Sequence, residues 1–172
     1  MTGRLRVMVG KIGNLVTLAL FAVWWGGFTF YAVIVVPTGH MVLHSRVRQG
    51  FITQQVTSWL NLIGVVVLVA FLVRIIIDRP PRSTVGRSRI AFVSWSLTAV
   101  TLAGLYWMHP HLDGFLDPVS RTVSNDDLFY TWHRWYLVVA TLQWVAGAVL
   151  GAVVLTDHRP EEATFIAPDL RG

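Results

Sequence analysis

The chain has 172 residues, of which 54% are hydrophobic and only 13% are charged, and because soluble domains carry roughly 25% charged residues, this composition excludes an ordinary soluble domain. The formal net charge is +5, but the basic residues lie in short stretches beside apolar runs, a pattern that favours orientation in a membrane and argues against nucleic acid as a partner. The chain contains no cysteine, which excludes disulfides, thiolate nucleophiles and cysteine-ligated zinc or iron–sulfur sites.

Four apolar runs are each long enough to cross the hydrocarbon core of a bilayer, which takes about 20 residues in a helix. They predict membrane spans at residues 12–36, 54–77, 90–108 and 129–155. The first run is too long for the apolar core of a secretory signal and has no clear small-residue cleavage motif, so we interpret it as an uncleaved span. Pro37 and Pro110 are expected to end the first and third helices, because proline lacks the backbone donor that a helix needs.

The order of these runs predicts an all-α integral membrane protein, built as a four-helix, up-down-up-down transmembrane bundle. In this prediction residues 1–156 form the transmembrane domain and residues 157–172 form a polar cytoplasmic tail. The lipid bilayer is then its first partner, and a membrane-protein partner or a second copy of the chain is a further candidate.

The loops predict how the bundle is oriented. Arginine residues cluster around the second connection, at residues 74–89, whereas the third connection, at residues 109–128, has one arginine and several aspartates. Lys and Arg prefer the cytoplasmic side of a membrane. Both termini are therefore predicted to be cytoplasmic, with the first and third connections outside, and the expected location is a bacterial inner membrane.

Polar amides inside the apolar runs predict which faces pack together. Asn61 and Gln143 lie within the second and fourth runs. An amide in hydrocarbon is costly unless it forms hydrogen bonds, so both are predicted to face the bundle interior and to find partners there. Gly147 and Gly151 form a GxxxG pattern, which is typical of close helix packing in lipid.

Histidine and methionine residues are concentrated near the predicted outer ends of the spans. Imidazole and thioether together suit copper, and thioether suits the cuprous ion in particular. Asp113, close to two of the histidines, is a candidate acceptor that would orient a metal-bound imidazole. The predicted metal ligands of this outward-facing site are His40, His44, His109, His111, His133, Met41 and Met108.

Two other interpretations of the histidines remain open. Histidine is tolerated at membrane interfaces, where its polar edge reaches water, so the cluster need not bind anything. A b-type haem held by His133 and either His109 or His40 is the other interpretation, although such a haem usually needs a deeper histidine pair. The predicted spans contain no Asp or Glu, which argues against an acid–base active site or a proton-coupled transporter.

Three short stretches carry a resemblance to a known family. Residues 24–30 (WWGGFTF) followed by Pro37, residues 51–55 (FITQQ) and residues 129–133 (FYTWH) resemble the first, second and fourth spans of small four-helix membrane proteins, the bacterial relatives of the eukaryotic transmembrane-protein-205 group. The first stretch is also similar to a Trp-Gly-Gly helix of the copper-resistance D membrane family. The resemblance implies a four-helix fold and a membrane location, but no established activity.

Two classes of function follow from the sequence. The first is a membrane protein that binds or handles a transition metal such as copper, or less plausibly a haem, at its outer histidines. The second is a non-catalytic accessory or scaffold subunit of a membrane complex, which packs against its partner through glycine and aromatic faces. Neither class requires an enzymatic activity.

Overall fold

The computed structural model describes residues 2–77, 85–117, 119–120 and 122–155. Residues 78–84 and 156–172, which include part of the predicted second connection and all of the predicted tail, lie outside the described residues. The described elements are α1 (Thr2–Phe30), a π-helical turn (Tyr31–Val35), α2 (Val36–Leu43), α3 (Arg46–Ile77), α4 (Val85–Asp113), β1 (Leu116–Asp117), β2 (Thr122–Val123) and α5 (Asp126–Leu155).

The prediction of four long apolar helices is confirmed. By length and hydropathy, four helical segments of the described chain are able to cross a membrane: Met8–Leu43, Val47–Ile77, Gly86–Asp113 and Asp126–Leu155. The first of these is continuous through α1, the π turn and α2. These segments extend beyond the apolar runs at one or both ends, as in α4, which continues beyond Met108 to Asp113.

The helix ends predicted from proline are wrong at both positions. Pro37 lies in the first turn of α2, which continues to Leu43, and Pro110 lies inside α4, which continues to Asp113. Pro37 follows the π turn inside one continuous helical segment, so its missing N–H removes one backbone hydrogen bond without ending the helix. Pro110 stands in the last turn of its helix, so only one backbone hydrogen bond is lost there.

Two apolar clusters fill the interior of the bundle. One joins α1, α3, α4 and α5 around Phe71 and Leu150, whose side chains are 0% and 1% exposed. The other lies between α4 and α5 around Leu105, and it contains the buried Met108. The two longest interfaces of the fold are thus filled by branched and aromatic side chains.

Glycines on α3 and α5 make room for an aromatic side chain of α1. A Cβ added to Gly64 would lie 2.8 Å from Nε1 of Trp24, and a Cβ added to Gly147 would lie 2.9 Å from the same ring. Gly151 faces the ring of Phe21 in the same way. The GxxxG pattern therefore receives aromatic rings in this fold, and not the backbone of a neighbouring helix.

Two tryptophans attach α1 to α5. The rings of Trp25 and Trp144 stack with their centroids 4.9 Å apart. The indole N–H of Trp25 donates to the carbonyl oxygen of Trp144 at 3.1 Å, and the indole N–H of Trp144 donates to the Thr29 hydroxyl at 2.9 Å. An indole donor in apolar surroundings needs such a partner, so these bonds fix how the two helices meet.

The predicted burial of both intramembrane amides is confirmed. Asn61 is 3% exposed and its amide donates to the Tyr136 hydroxyl over 3.5 Å, while Gln143 is 1% exposed. Among the described residues, however, Nε2 of Gln143 has no hydrogen-bond partner. The prediction of bonding for that nitrogen is therefore wrong.

Candidate functional site

A cavity of about 960 Å³ lies between the π turn, α2 and the N-terminal half of α5. α3 and α4 close it on the inner side, and two residues of the β hairpin, Leu116 and Val123, line it. Leu116 and Val123 are also paired with each other across the two antiparallel strands. Pockets for small ligands range from about 300 to 1,000 Å³, so this cavity is of a size that holds a small molecule.

The cavity opens at the side of the bundle. Ala32 on the π turn, and Leu137 and Thr141 on α5, line the cavity and are themselves exposed. Other exposed lining residues, His40, His44, Asp126 and Tyr130, lie at the end of the bundle, so the cavity is open there as well. The interior is therefore accessible from the surface of the helices without separating them.

A polar stripe on α3 forms one wall of the cavity. Gln49, Thr53 and Thr57 are four residues apart and so share one helix face. The Tyr31 hydroxyl donates to Oγ1 of Thr53 at 2.8 Å, and the Thr53 hydroxyl donates to the Gln49 carbonyl oxygen at 2.9 Å. Asn61 continues the stripe one turn deeper. The stripe places hydroxyl groups on a wall that is otherwise apolar and aromatic.

The Gln49 side chain is an unsatisfied member of this stripe. It is 3% exposed, and neither its amide nitrogen nor its amide oxygen has a hydrogen-bond partner among the described residues. The amide lies against Gly39 of α2, where a Cβ would overlap it. Buried amide atoms without hydrogen bonds lower the stability of the fold, so α2 and α3 pack closely here without satisfying the Gln49 amide.

His109 connects α3 to α4 at the wall of the cavity. Its Nδ1 lies 2.9 Å from Oδ2 of Asp113, and its Nε2 lies 3.2 Å from the carbonyl oxygen of Gln54. A carboxylate and a carbonyl oxygen are both acceptors, so both contacts are hydrogen bonds only when both ring nitrogens carry hydrogen. The arrangement therefore fits an imidazolium paired with the Asp113 carboxylate. Asp113 thus lies within hydrogen-bond distance of a neighbouring histidine, while its predicted role of orienting a metal-bound imidazole stays a prediction.

The same geometry argues against a hydroxyl nucleophile at this position. Thr57 Oγ1 lies 3.4 Å from Nε2 of His109, which superficially gives an Asp–His–Thr sequence of contacts. Nε2 is closer to the Gln54 carbonyl oxygen, and the Thr57 hydroxyl already donates to the Thr53 carbonyl oxygen at 2.7 Å. A nucleophilic hydroxyl would have to donate its proton to the imidazole, but the Thr57 hydroxyl donates its proton to the Thr53 carbonyl oxygen instead.

Three further histidines line the cavity from different elements. His133 on α5 is half-buried and stacks on Phe129, with the ring centroids 5.9 Å apart. His40 lies on α2, and His44 ends that helix in a left-handed conformation with φ of 47°. Four of the predicted metal ligands, including His109, are thus brought to one cavity although they are distant in sequence.

The other predicted ligands lie elsewhere. His111 is exposed and stacks on Trp132, with centroids 5.3 Å apart, while its Nδ1 contacts the Trp107 carbonyl oxygen at 2.8 Å. Met41 is 67% exposed and Met108 is buried in the apolar cluster between α4 and α5. None of these three lines the cavity. In the described part of the chain no three His, Asp or Glu side chains are close enough together to hold a metal ion.

Sequence reasoning missed the hydroxyl groups of the site. Tyr31, Thr53, Thr57 and Tyr136 all line the cavity. One signal was available, because positions 49, 53, 57 and 61 repeat a polar residue every four positions at the beginning of the second predicted span and just before it. Such a repeat marks one polar face of a helix, and a polar face in a membrane helix points to protein or to a cavity.

The chain was compared with protein-family models, with characterised proteins and with solved structures, and no significant match was found. The resemblance to the transmembrane-protein-205 group and to the copper-resistance D family therefore stays a prediction.

Proposed function

We propose that this chain is an integral membrane protein that binds a lipophilic small molecule in its lateral cavity. Its four helices cross the bilayer up, down, up and down, with both termini in the cytoplasm. The arginine-rich second connection and the aspartate-rich third connection support this orientation. The cavity then lies in the outer half of the membrane, at the ends of the spans that carry the histidines.

The observation that carries this proposal is the cavity of about 960 Å³ with its lateral opening. Its rim residues, Ala32, Leu137 and Thr141, stand on helices apolar enough to span a membrane. A ligand dissolved in the bilayer would enter between them without passing through water. Aromatic and aliphatic walls with a few convergent polar groups are the usual lining of a small-molecule site.

The geometry gives less support to the other candidate functions. A copper site built from imidazole and thioether would need the methionines, and both lie away from the cavity. A haem held by His133 and His109 would need a free nitrogen on His109, and both of its nitrogens face protein oxygens. A scaffold role accounts for the aromatic packing of α1 on α5, but it leaves the cavity without a use.

Binding of three lipophilic probes of similar shape tests the proposal. They are the cation tetraphenylphosphonium, the neutral triphenylphosphine oxide and the anion tetraphenylborate. The protein in phosphatidylcholine nanodiscs is dialysed to equilibrium against each probe, and the binding to empty nanodiscs is subtracted. We expect a saturable component for at least one probe. If none of the three shows saturable binding, the proposed function is wrong.

A matched pair of variants locates the binding. Ala32→Trp places a large ring at the rim of the cavity, whereas Ala103→Trp places the same ring on an exposed position of α4 away from it. Ala32→Trp is expected to abolish the saturable component and Ala103→Trp to leave it unchanged. Equal loss in both variants, or in neither, would show that the probe binds outside the cavity.

A further inference from the structure

We infer that the ligand of this cavity is a lipophilic organic cation. This inference rests on the proposed function, because it specifies the charge of the molecule that the cavity receives. It is carried by two independent properties of the described lining, its formal charge and its aromatic rings. Neither property follows from the volume or the lateral opening of the cavity.

The formal charge of the lining is negative. Asp113 at the end of α4 and Asp126 at the beginning of α5 both line the cavity, and no lysine or arginine is among the described residues that do so. Arg48 and Arg134 stand beside cavity residues in the sequence, but both are exposed and outside the lining. An anionic head, such as a phosphate, is normally bound by Arg or Lys, so this lining does not suit one.

The protonation of His109 does not reverse this sign. With an imidazolium at His109, its charge cancels that of Asp113, and Asp126 leaves the described part of the lining with a net charge of −1. With a neutral His109, both carboxylates count and the net charge is −2. His40, His44 and His133 are counted as neutral in this formal charge. A cation is therefore the ligand charge that the lining complements.

Aromatic rings surround the same space. Tyr31, Phe129, Tyr130 and Tyr136 all line the cavity, from the π turn and from α5. The negative face of an aromatic ring attracts a cation, and the attraction increases where water is excluded. Rings with nearby carboxylates are the usual means of recognising substituted ammonium groups.

An organic cation fits the negative charge of the described lining better than a metal ion does. A metal ion needs several ligands converging within about 2–2.6 Å of one point, and the described residues contain no such group of His, Asp and Glu side chains. The carboxylates and rings are instead spread over a space of about 960 Å³. A dispersed negative field and apolar walls suit a large, weakly hydrated cation.

The three probes used for the cavity distinguish the charge of the ligand, because tetraphenylphosphonium and tetraphenylborate have nearly the same shape and opposite charge. We expect saturable binding of tetraphenylphosphonium to be at least about tenfold tighter than that of the neutral oxide, and tetraphenylborate to show none. A tenfold preference corresponds to one favourable charge contact. Equal affinity for cation and oxide, or a preference for the anion, would refute the cation while leaving the cavity as a binding site.

Charge-removing variants test which groups recognise the cation. Asp126→Asn is expected to weaken tetraphenylphosphonium binding about fivefold and to leave binding of the neutral oxide unchanged. Asp127→Asn is the matched control, since Asp127 is the next residue of the same first turn and does not line the cavity. If the two variants behave alike, the preference comes from the general surface charge of the protein, and the inference fails.

Discussion

His109 shows how the contacts of a residue can differ from those that its position in the sequence suggests. Its position beside Met108 and His111 suggested a metal ligand. In the fold its ring instead links the Gln54 carbonyl oxygen on α3 to the Asp113 carboxylate on α4. The sequence shows that an imidazole lies near an aspartate one turn away, but not that a carbonyl of another helix lies on its other side.

Replacing His109 tests this linking role. His109→Ala removes a charge-assisted hydrogen bond to Asp113 and a second bond to α3, so we expect the free energy of unfolding to fall by about 2 kcal/mol. Thermal unfolding in detergent would measure the loss. His111→Ala is the control on the same helix, because His111 is exposed and its Nδ1 contact lies within its own helix. Equal destabilisation by both variants would contradict the linking role.

Asp117 organises the turn between β1 and β2. The Ser120 hydroxyl and the backbone N–H groups of Val119 and Ser120 donate to its carboxylate. These bonds, the hydroxyl first, hold the pKa of Asp117 below its ordinary value. Because the lower pKa belongs to the folded state, the bonds stabilise the turn above the ordinary pKa of about 3.9. That contribution is lost as the pH falls through the folded-state value.

A carboxyl titration followed by NMR would check this assignment. We expect Ser120→Ala to raise the titration midpoint of Asp117 toward its ordinary value. Ser124→Ala should leave it unchanged, since the Ser124 hydroxyl donates to the Phe115 carbonyl oxygen and not to a carboxylate. If the midpoint does not move in Ser120→Ala, the backbone N–H groups alone lower the pKa.

At the scale of helices, the apolar runs predicted the helices correctly, but the helix ends predicted from the prolines were wrong. A run of about 20 apolar residues has few alternatives to a membrane helix, which is why four such helices were predictable. Pro37 was read as a stop, but it follows the π turn within one continuous helical segment, which loses a backbone hydrogen bond there and does not end. The π turn before it has no recognisable sequence pattern, although such turns are frequent at functional sites.

The contact of α2 with α3 is testable through one glycine. A Cβ at Gly39 would overlap the Gln49 amide, so Gly39→Ala is expected to lower the free energy of unfolding by about 1–3 kcal/mol, the usual cost of overpacking. Gly26→Ala is the matched control, because nothing lies within 4 Å of a Cβ there. Alanine is the better helix former by about 1 kcal/mol, so that variant should be as stable as the wild type or more stable. A stable Gly39→Ala protein would show that Gln49 rearranges freely.

For the molecule as a whole, the architecture was more predictable than the cavity. Helix number and the burial of Asn61 and Gln143 follow from hydropathy and from the cost of an amide in hydrocarbon. The cavity depends on the distance between the π turn and α5, whereas Trp24 and Trp25 of the same helical segment pack directly on α5. No single apolar run contains that information, so the histidines were grouped by sequence position alone, and His111, which does not line the cavity, was grouped with His133.

Orientation in the membrane is the property of the whole chain on which the location of the cavity depends. The chain has no cysteine, so single cysteines can report the side of the membrane without background. Val119 is 92% exposed in the third connection. The cysteine introduced by Val119→Cys should react with a membrane-impermeant maleimide in intact cells. Thr84→Cys, in the arginine-rich second connection, should react only after the cells are permeabilised, because arginine-rich loops stay on the cytoplasmic side. The reverse pattern would place the cavity mouth and Asp126 in the cytoplasmic half of the bilayer, and a ligand would then have to be taken from the inner leaflet.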